Sequence, residues 1–130
     1  MVLPERDLGF LAERNIPYQL TEEAGMLCLV ISNWKLPPGY NQPVADLLIR
    51  LQPGYPDLPP DMWWFDPAIS RPDCAAIEAT QISEMHLGRT WQRWSRHLDP
   101  NHWNSGTDGL ESYLSLVTRE ARRTAQGVLV

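Results

Sequence analysis

Cysteine is scarce in this sequence: Cys28 and Cys74 are the only two in 130 residues. Two thiols this far apart build no disulfide framework, and no C-x-x-C pair supplies the spacing of a zinc or redox site, which points to a reducing compartment. Long apolar runs are missing too. None approaches the roughly 20 residues that cross a bilayer, and no charged-then-apolar leader is seen, so the expectation is a cytoplasmic protein that does not enter a membrane. Positive charge is not in excess: the net charge of -5 argues against a phosphate-binding surface, and hence against nucleic acid as the partner. Internal repeats and low-complexity stretches are lacking as well. With 43% hydrophobic residues, what is left suffices for one compact domain over residues 1–130 with its own core.

Proline, by contrast, is concentrated. Pro53, Pro56, Pro59, Pro60 and Pro67 fall within one stretch between two apolar runs. Proline fixes φ and gives up its N–H, so Pro59-Pro60 reads as a stiff corner between strands at Val44–Leu51 and Met62–Phe65. Upstream, Leu8, Leu11 and Ala12 recur at helical spacing behind the early carboxylate Asp7, predicting a short helix within Leu3–Arg14 that Pro17 ends. Tyr18–Thr21 and Met26–Ser32 read as a hairpin around Glu23-Ala24-Gly25. Leu27, Leu29 and Ile31 alternate with Cys28 and Val30, so the second strand is apolar on both faces and Cys28 is a small buried hydrophobe. Trp34–Pro43, with three prolines and a glycine, is a loop. Leu110, Tyr113, Leu114, Val117 and Ala121 form the apolar stripe of a C-terminal helix. Asp108 and Glu111 stand at capping-box spacing, Arg119, Arg122 and Arg123 come late, and Gly127 lies past the end. The expected fold is α+β, a four-stranded antiparallel meander flanked by a short N-terminal helix and a C-terminal helix.

Tyr55-Pro56 and Pro59-Pro60 followed by a hydrophobic strand resemble the loop and fourth strand of the ubiquitin-conjugating (UBC) fold. Beyond the corner, that superfamily runs from a phenylalanine through a short link into a His-Pro-Asn motif, and the same spacing here reads Phe65 to Arg71-Pro72-Asp73. Trp103 followed by the helix to Val117 is similar to the family's tryptophan and its following helix. The departures fall on the chemistry. In the family the asparagine donates to the developing oxyanion and a downstream cysteine carries the ubiquitin-like protein as a thioester. Here Asp73 replaces that asparagine, and an ionised aspartate donates nothing. Gln81 stands where the family's cysteine commonly falls. The segment Met85–His97, dense in Trp, Arg and His, resembles bacterial UBC-like proteins called prokaryotic family E. That resemblance implies a bacterial ubiquitin-like conjugation pathway, with a setting in phage defence and a ThiF-type activating enzyme and a ubiquitin-like protein as partners.

Cys74 is the one thiol near the expected site. Arg71 beside it favours the thiolate and Asp73 opposes it, so the alternatives are a nucleophile or an ordinary loop cysteine. His86 and His97 are candidate bases for a thiol or an attacking amine, against a plainer role in loop hydrogen bonding. Cys74, His86, His97 and His102 lack metal-type spacing, and neither metal nor cofactor is expected. Trp91 and Trp94, three apart, with Arg89, Arg93 and Arg96 interleaved, read as the aromatic stripe and cationic face of one helical turn, the tryptophans serving either core packing or an interface. Arg89, Arg93, Trp94 and Arg96 are accordingly the expected partner-binding residues. Two functions follow: a non-standard conjugating enzyme acting through Cys74, or a catalytically silent UBC-like adaptor that binds the ubiquitin-like protein or the activating enzyme.

Overall fold

The computed structural model describes residues 2–125, so the expectations at Gly127 and the last residues lie outside it. Its elements are α1 (Glu5–Glu13), β1 (Tyr18–Glu23), β2 (Met26–Lys35), β3 (Val44–Leu51), β4 (Trp63–Asp66), β5 (Ser83–His86), β6 (Arg89–Trp94) and α2 (Leu110–Ala125), with a short 3-10 turn at Pro100–His102. The class is α+β, as expected from the pattern. The sheet, however, is not four-stranded: it holds six antiparallel strands in the order β1-β2-β3-β4-β6-β5. The two additional strands are the Trp- and Arg-rich segment, which forms a hairpin rather than a turn of helix. Leu87 and Gly88 make its tip, both at positive φ (56° and 74°), the backbone that a tight two-residue hairpin turn needs.

Two packed clusters follow from the double-faced strands. On one face, Leu27, Leu29, Leu47, Ile49, Leu51, Trp63, Phe65 and Trp94 meet the stripe of α2, where Leu110, Tyr113, Leu114, Val117 and Ala121 are all buried. On the other, Cys28, Val30, Leu48, Trp64 and Trp91 form a smaller cluster, with Met26, Met62 and Leu87 against it. Among the described residues no helix contributes to it. Instead the sheet curls: the amide of Leu87 at the hairpin tip donates to Glu23 Oε2 of β1 at 2.8 Å. Strands at opposite ends of the sheet order are thereby joined through a side chain.

Asp7 was expected as a carboxylate favouring the N-terminus of α1 and Leu8 as part of its apolar stripe. The structure exchanges them: Leu8 is 39% exposed and Asp7 1%. Burying a carboxylate demands partners, and Asp7 has two. Its Oδ1 accepts the Leu110 amide at 3.0 Å and its Oδ2 accepts the Tyr55 hydroxyl at 2.6 Å. Asp7 thus serves the free amide at the start of α2, a task the sequence had suggested for Asp108. The Asp108 carboxylate turns back instead to the Asn104 amide at 2.7 Å.

The corner contains cis peptide bonds at Tyr55–Pro56 and Asp66–Pro67. It is tied across by the Gln52 side chain, which donates to Pro59 O at 3.1 Å, and by the Met62 amide, which donates to Arg96 O at 3.1 Å.

Candidate functional site

Between β4 and β5 the chain runs as a flap over residues 67–82, which contains the Arg71-Pro72-Asp73 segment. One side chain fastens its start to the sheet. Gln92 of β6 accepts the Ile69 amide at 3.0 Å and donates to Ile69 O at 3.1 Å, standing in for a missing backbone ladder. Trp34 and Lys35, expected in a loop, instead pair with Ala45 and Val44 and extend β2. The loop that remains, 36–43, holds Ser70 in turn: Asn41 N–H donates to Ser70 O at 2.8 Å, and Ser70 N–H to Asn41 Oδ1 at 3.0 Å. The far end is pinned to β6 and the residues after it, through Ser95 N–H to Ala79 O and Arg93 N–H to Ile82 O.

Between these anchors, residues 71–74 form a turn in which the Cys74 amide donates to Arg71 O at 3.0 Å and Cys74 takes φ 61°. The Cys74 side chain is exposed, whereas Cys28 is fully buried. Asp73 accepts the Ala75 amide at 3.0 Å and the Arg71 guanidinium at 2.7 Å. The Ala75 amide first, and Arg71 after it, hold the Asp73 carboxyl below its ordinary value. The Arg71 cation is therefore engaged by Asp73, one residue short of the thiol. Gln81, at the family's usual cysteine position, donates to Ile77 O at 2.7 Å and accepts the Thr80 amide at 3.1 Å.

His86 and His97 are both paired with carboxylates. His86 Nε2 lies 3.1 Å from Glu84 Oε1 and its Nδ1 3.7 Å from Glu23 Oε1. Exposed His97 has its Nδ1 2.7 Å from Asp61 Oδ1. Glu84, which sequence reasoning passed over, is the hub of the hairpin. Besides His86 it accepts Trp64 Nε1 at 2.9 Å and Arg93 Nη1 at 2.9 Å. Burial pushes its carboxyl up, but the hydrogen bonds from His86, Trp64 and Arg93 outweigh that and hold it below its ordinary value. The signal was present as an i, i+2 pair, Glu84 and His86, which share a face once the segment is a strand. With Met26, Arg50, Pro59, Met62 and others these residues line a cavity of about 570 Å³.

Strand geometry also divides the expected partner-binding residues. Trp91 belongs to the cluster inside the curl and Trp94 to the helix-packed core, because three residues along a strand reverse the face. Trp94 is fully buried. Arg89 lies 4.3 Å over the Trp91 ring and bridges Asp46 and Asp66 at 2.8 and 2.7 Å. Arg93 pairs with Glu84. Arg96 pairs with Glu120 of α2 at 2.8 Å and donates to Glu78 O of the flap at 2.8 Å. Among the described residues no group of three or more His, Cys, Asp or Glu is disposed to hold a metal ion, and no helix is long and apolar enough to cross a membrane.

A family model described as prokaryotic E2 family E matches residues 3–124. The chain belongs to that family. It is thus a bacterial UBC-like protein with a place in ubiquitin-like protein conjugation, and the family implies dealings with a ubiquitin-like protein and its activating enzyme. Neither a curated protein nor a solved structure matches the chain.

Proposed function

We propose that this prokaryotic family E protein accepts a ubiquitin-like protein from a ThiF-type activating enzyme as a thioester on Cys74 and passes it to an amine. One observation carries the reading: the only exposed thiol stands on the turn beside the Arg71-Pro72-Asp73 segment, while the other cysteine is sealed in the sheet. In the step, the Cys74 thiolate attacks the thioester carbonyl on the activating enzyme. A new C–S bond forms, the old one breaks, and the activating enzyme's thiol leaves. His86 and His97, each paired with a carboxylate, are the proposed candidate bases for the thiol or the attacking amine. The arginine-lined hairpin is the proposed docking face for either partner, through Arg89, Arg93 and Arg96, with buried Trp94 supporting it from beneath. A cytoplasmic setting and a part in phage defence belong to the same proposal.

A second reading, the silent adaptor, is favoured by Asp73, whose carboxylate accepts hydrogen bonds at the place where the superfamily presents a donor. Incubation with activating enzyme, ATP and ubiquitin-like protein separates the two. The carrier gives a reductant-sensitive adduct that becomes a stable oxyester, or vanishes, in Cys74→Ser. An adduct that survives in Cys74→Ala rejects this nucleophile, and none at all with active partners removes the carrier reading and supports the adaptor.

A further inference from the structure

The chain carries ten arginines and one lysine. A protein that holds an activated acyl group is exposed to attack by its own amines, and the two cations differ sharply there. A guanidinium stays protonated and is not a nucleophile, whereas a lysine amine shifts readily to its neutral, nucleophilic form. Ten of the eleven cationic side chains therefore offer no acceptor, and the eleventh, Lys35, offers one.

The position of Lys35 matters more than its rarity. It is exposed at the last residue of β2, paired with Val44 at the start of β3. On the other side of β3, β4 ends at Asp66, paired with Asp46. The chain therefore leaves β2 and β4 at the same end of the sheet, two strand spacings or ~10 Å apart. Both departing segments are then drawn together, since the loop after Lys35 clasps Ser70 through both hydrogen bonds of Asn41. The residue after Ser70 opens the turn that ends in Cys74. The only side-chain amine and the only exposed thiol thus lie on segments that leave the sheet at the same end and are clasped to each other at Asn41 and Ser70.

We infer that Lys35 is the self-modification site of this protein, receiving the ubiquitin-like chain from the Cys74 thioester of the same molecule. The inference rests on the carrier reading above. The neutral Nζ attacks the thioester carbonyl, a C–N bond forms as the C–S bond breaks, the ammonium proton passes to solvent, and Cys74 leaves as the thiolate. The product is an isopeptide that reductant does not cleave.

The test uses the full chain, its activating enzyme, ATP and ubiquitin-like protein, with samples split before and after reductant. The expected result is a sensitive adduct that converts to a resistant one at a rate independent of protein concentration. Lys35→Arg keeps the sensitive adduct and loses at least tenfold of the resistant one, and peptide mapping places the isopeptide at Lys35. In a mixture of Cys74→Ala with Lys35→Arg, the Cys74→Ala chain stays unmodified. A sensitive adduct alone, or a resistant one that persists in Lys35→Arg, overturns the inference and leaves the carrier reading intact. Modification of the Cys74→Ala chain in the mixture overturns transfer within one molecule. Absence of both adducts removes the carrier reading and this inference together.

Discussion

Tyr55 and Asp7 meet through a 2.6 Å hydrogen bond that joins the proline corner to the first helix, and the same carboxylate holds the first amide of the last helix. Three segments remote in sequence depend on one buried side chain. Tyr55→Phe removes one of the two partners and should cost about 1 to 3 kcal/mol, the usual penalty for under-satisfying a buried polar group. Asp7→Ala should cost more, because it also frees the Leu110 amide. Urea melts on the two variants read this directly, and equal losses would contradict the bridging role.

Alkaline pH should weaken the fold. Burial first, and Asp7 after it, push the Tyr55 hydroxyl well above its ordinary range, and burial, then Asp61, does the same for Tyr113. A group whose pKa is raised by folding lends stability below the unfolded value, and that stability is lost as pH rises past it. Unfolding free energy should therefore fall above about pH 10. Tyr55→Phe, though weaker at pH 7, should show the shallower decline; an unchanged slope would remove Tyr55 from this role.

At the acid end the sign reverses. Glu84 is held low by His86, Trp64 and Arg93 against the opposing effect of burial, and Glu120 by Arg123 first, with Arg96 adding to it. Their contributions are present above the ordinary carboxyl value and disappear as pH falls through the lowered ones. Glu84→Gln should flatten the loss of stability below about pH 4.5. A parallel pH profile would mean that the hub does not titrate with folding.

Arg96 and Arg93 should respond differently to reversal. Arg96 and Glu120 are 15% and 17% exposed, so Arg96→Glu sets two carboxylates together out of water and should cost about 3 to 5 kcal/mol. Arg93→Glu faces the more open Glu84 and should cost less. If the double exchange Arg96→Glu with Glu120→Arg does not recover stability in a thermal melt, the pair is not the cause. Partner binding by this face is then measured on the restored double variant.

Arg71 is occupied by Asp73, and that engagement can be released. Asp73→Asn leaves the guanidinium free beside the thiol and removes a neighbouring negative charge, both of which favour the thiolate. Alkylation of Cys74 by iodoacetamide at pH 7 should speed up several-fold. An unchanged rate would show that the turn holds the arginine away from the sulfur.

Much of the fold was legible because its signals are local. Alternation marked Leu27–Ile31, the prolines marked the corner, and the 3.6-residue stripe marked α2. Residues 85–97 misled for a physical reason: Trp91 and Trp94 at i, i+3 mimic a helical stripe, and the turn that makes them a strand is Leu87-Gly88, without the Asn-Gly signal. The Glu84 hub was hidden for the same reason, since its partners lie on three strands. Asp7 could not be read because its burial depends on Tyr55 and Leu110, which no local window contains. Cys74 was legible as a thiol, but the Arg71–Asp73 pair beside it required the turn.

Gln92 holds the start of the flap with one amide group. Because that attachment is a side chain and not a strand pairing, the flap is modular with respect to the sheet. Residues between Ser70 and the buried Ile77 can be lengthened, shortened or exchanged while every backbone ladder remains as it is, and the entropy of a longer loop grows only slowly with its length. A lineage can therefore change the chemistry carried beside residue 74 without redesigning the fold that presents it, provided it keeps the Gln92 amide, the Asn41 clasp on Ser70 and the backbone bonds at Ala79 and Ile82.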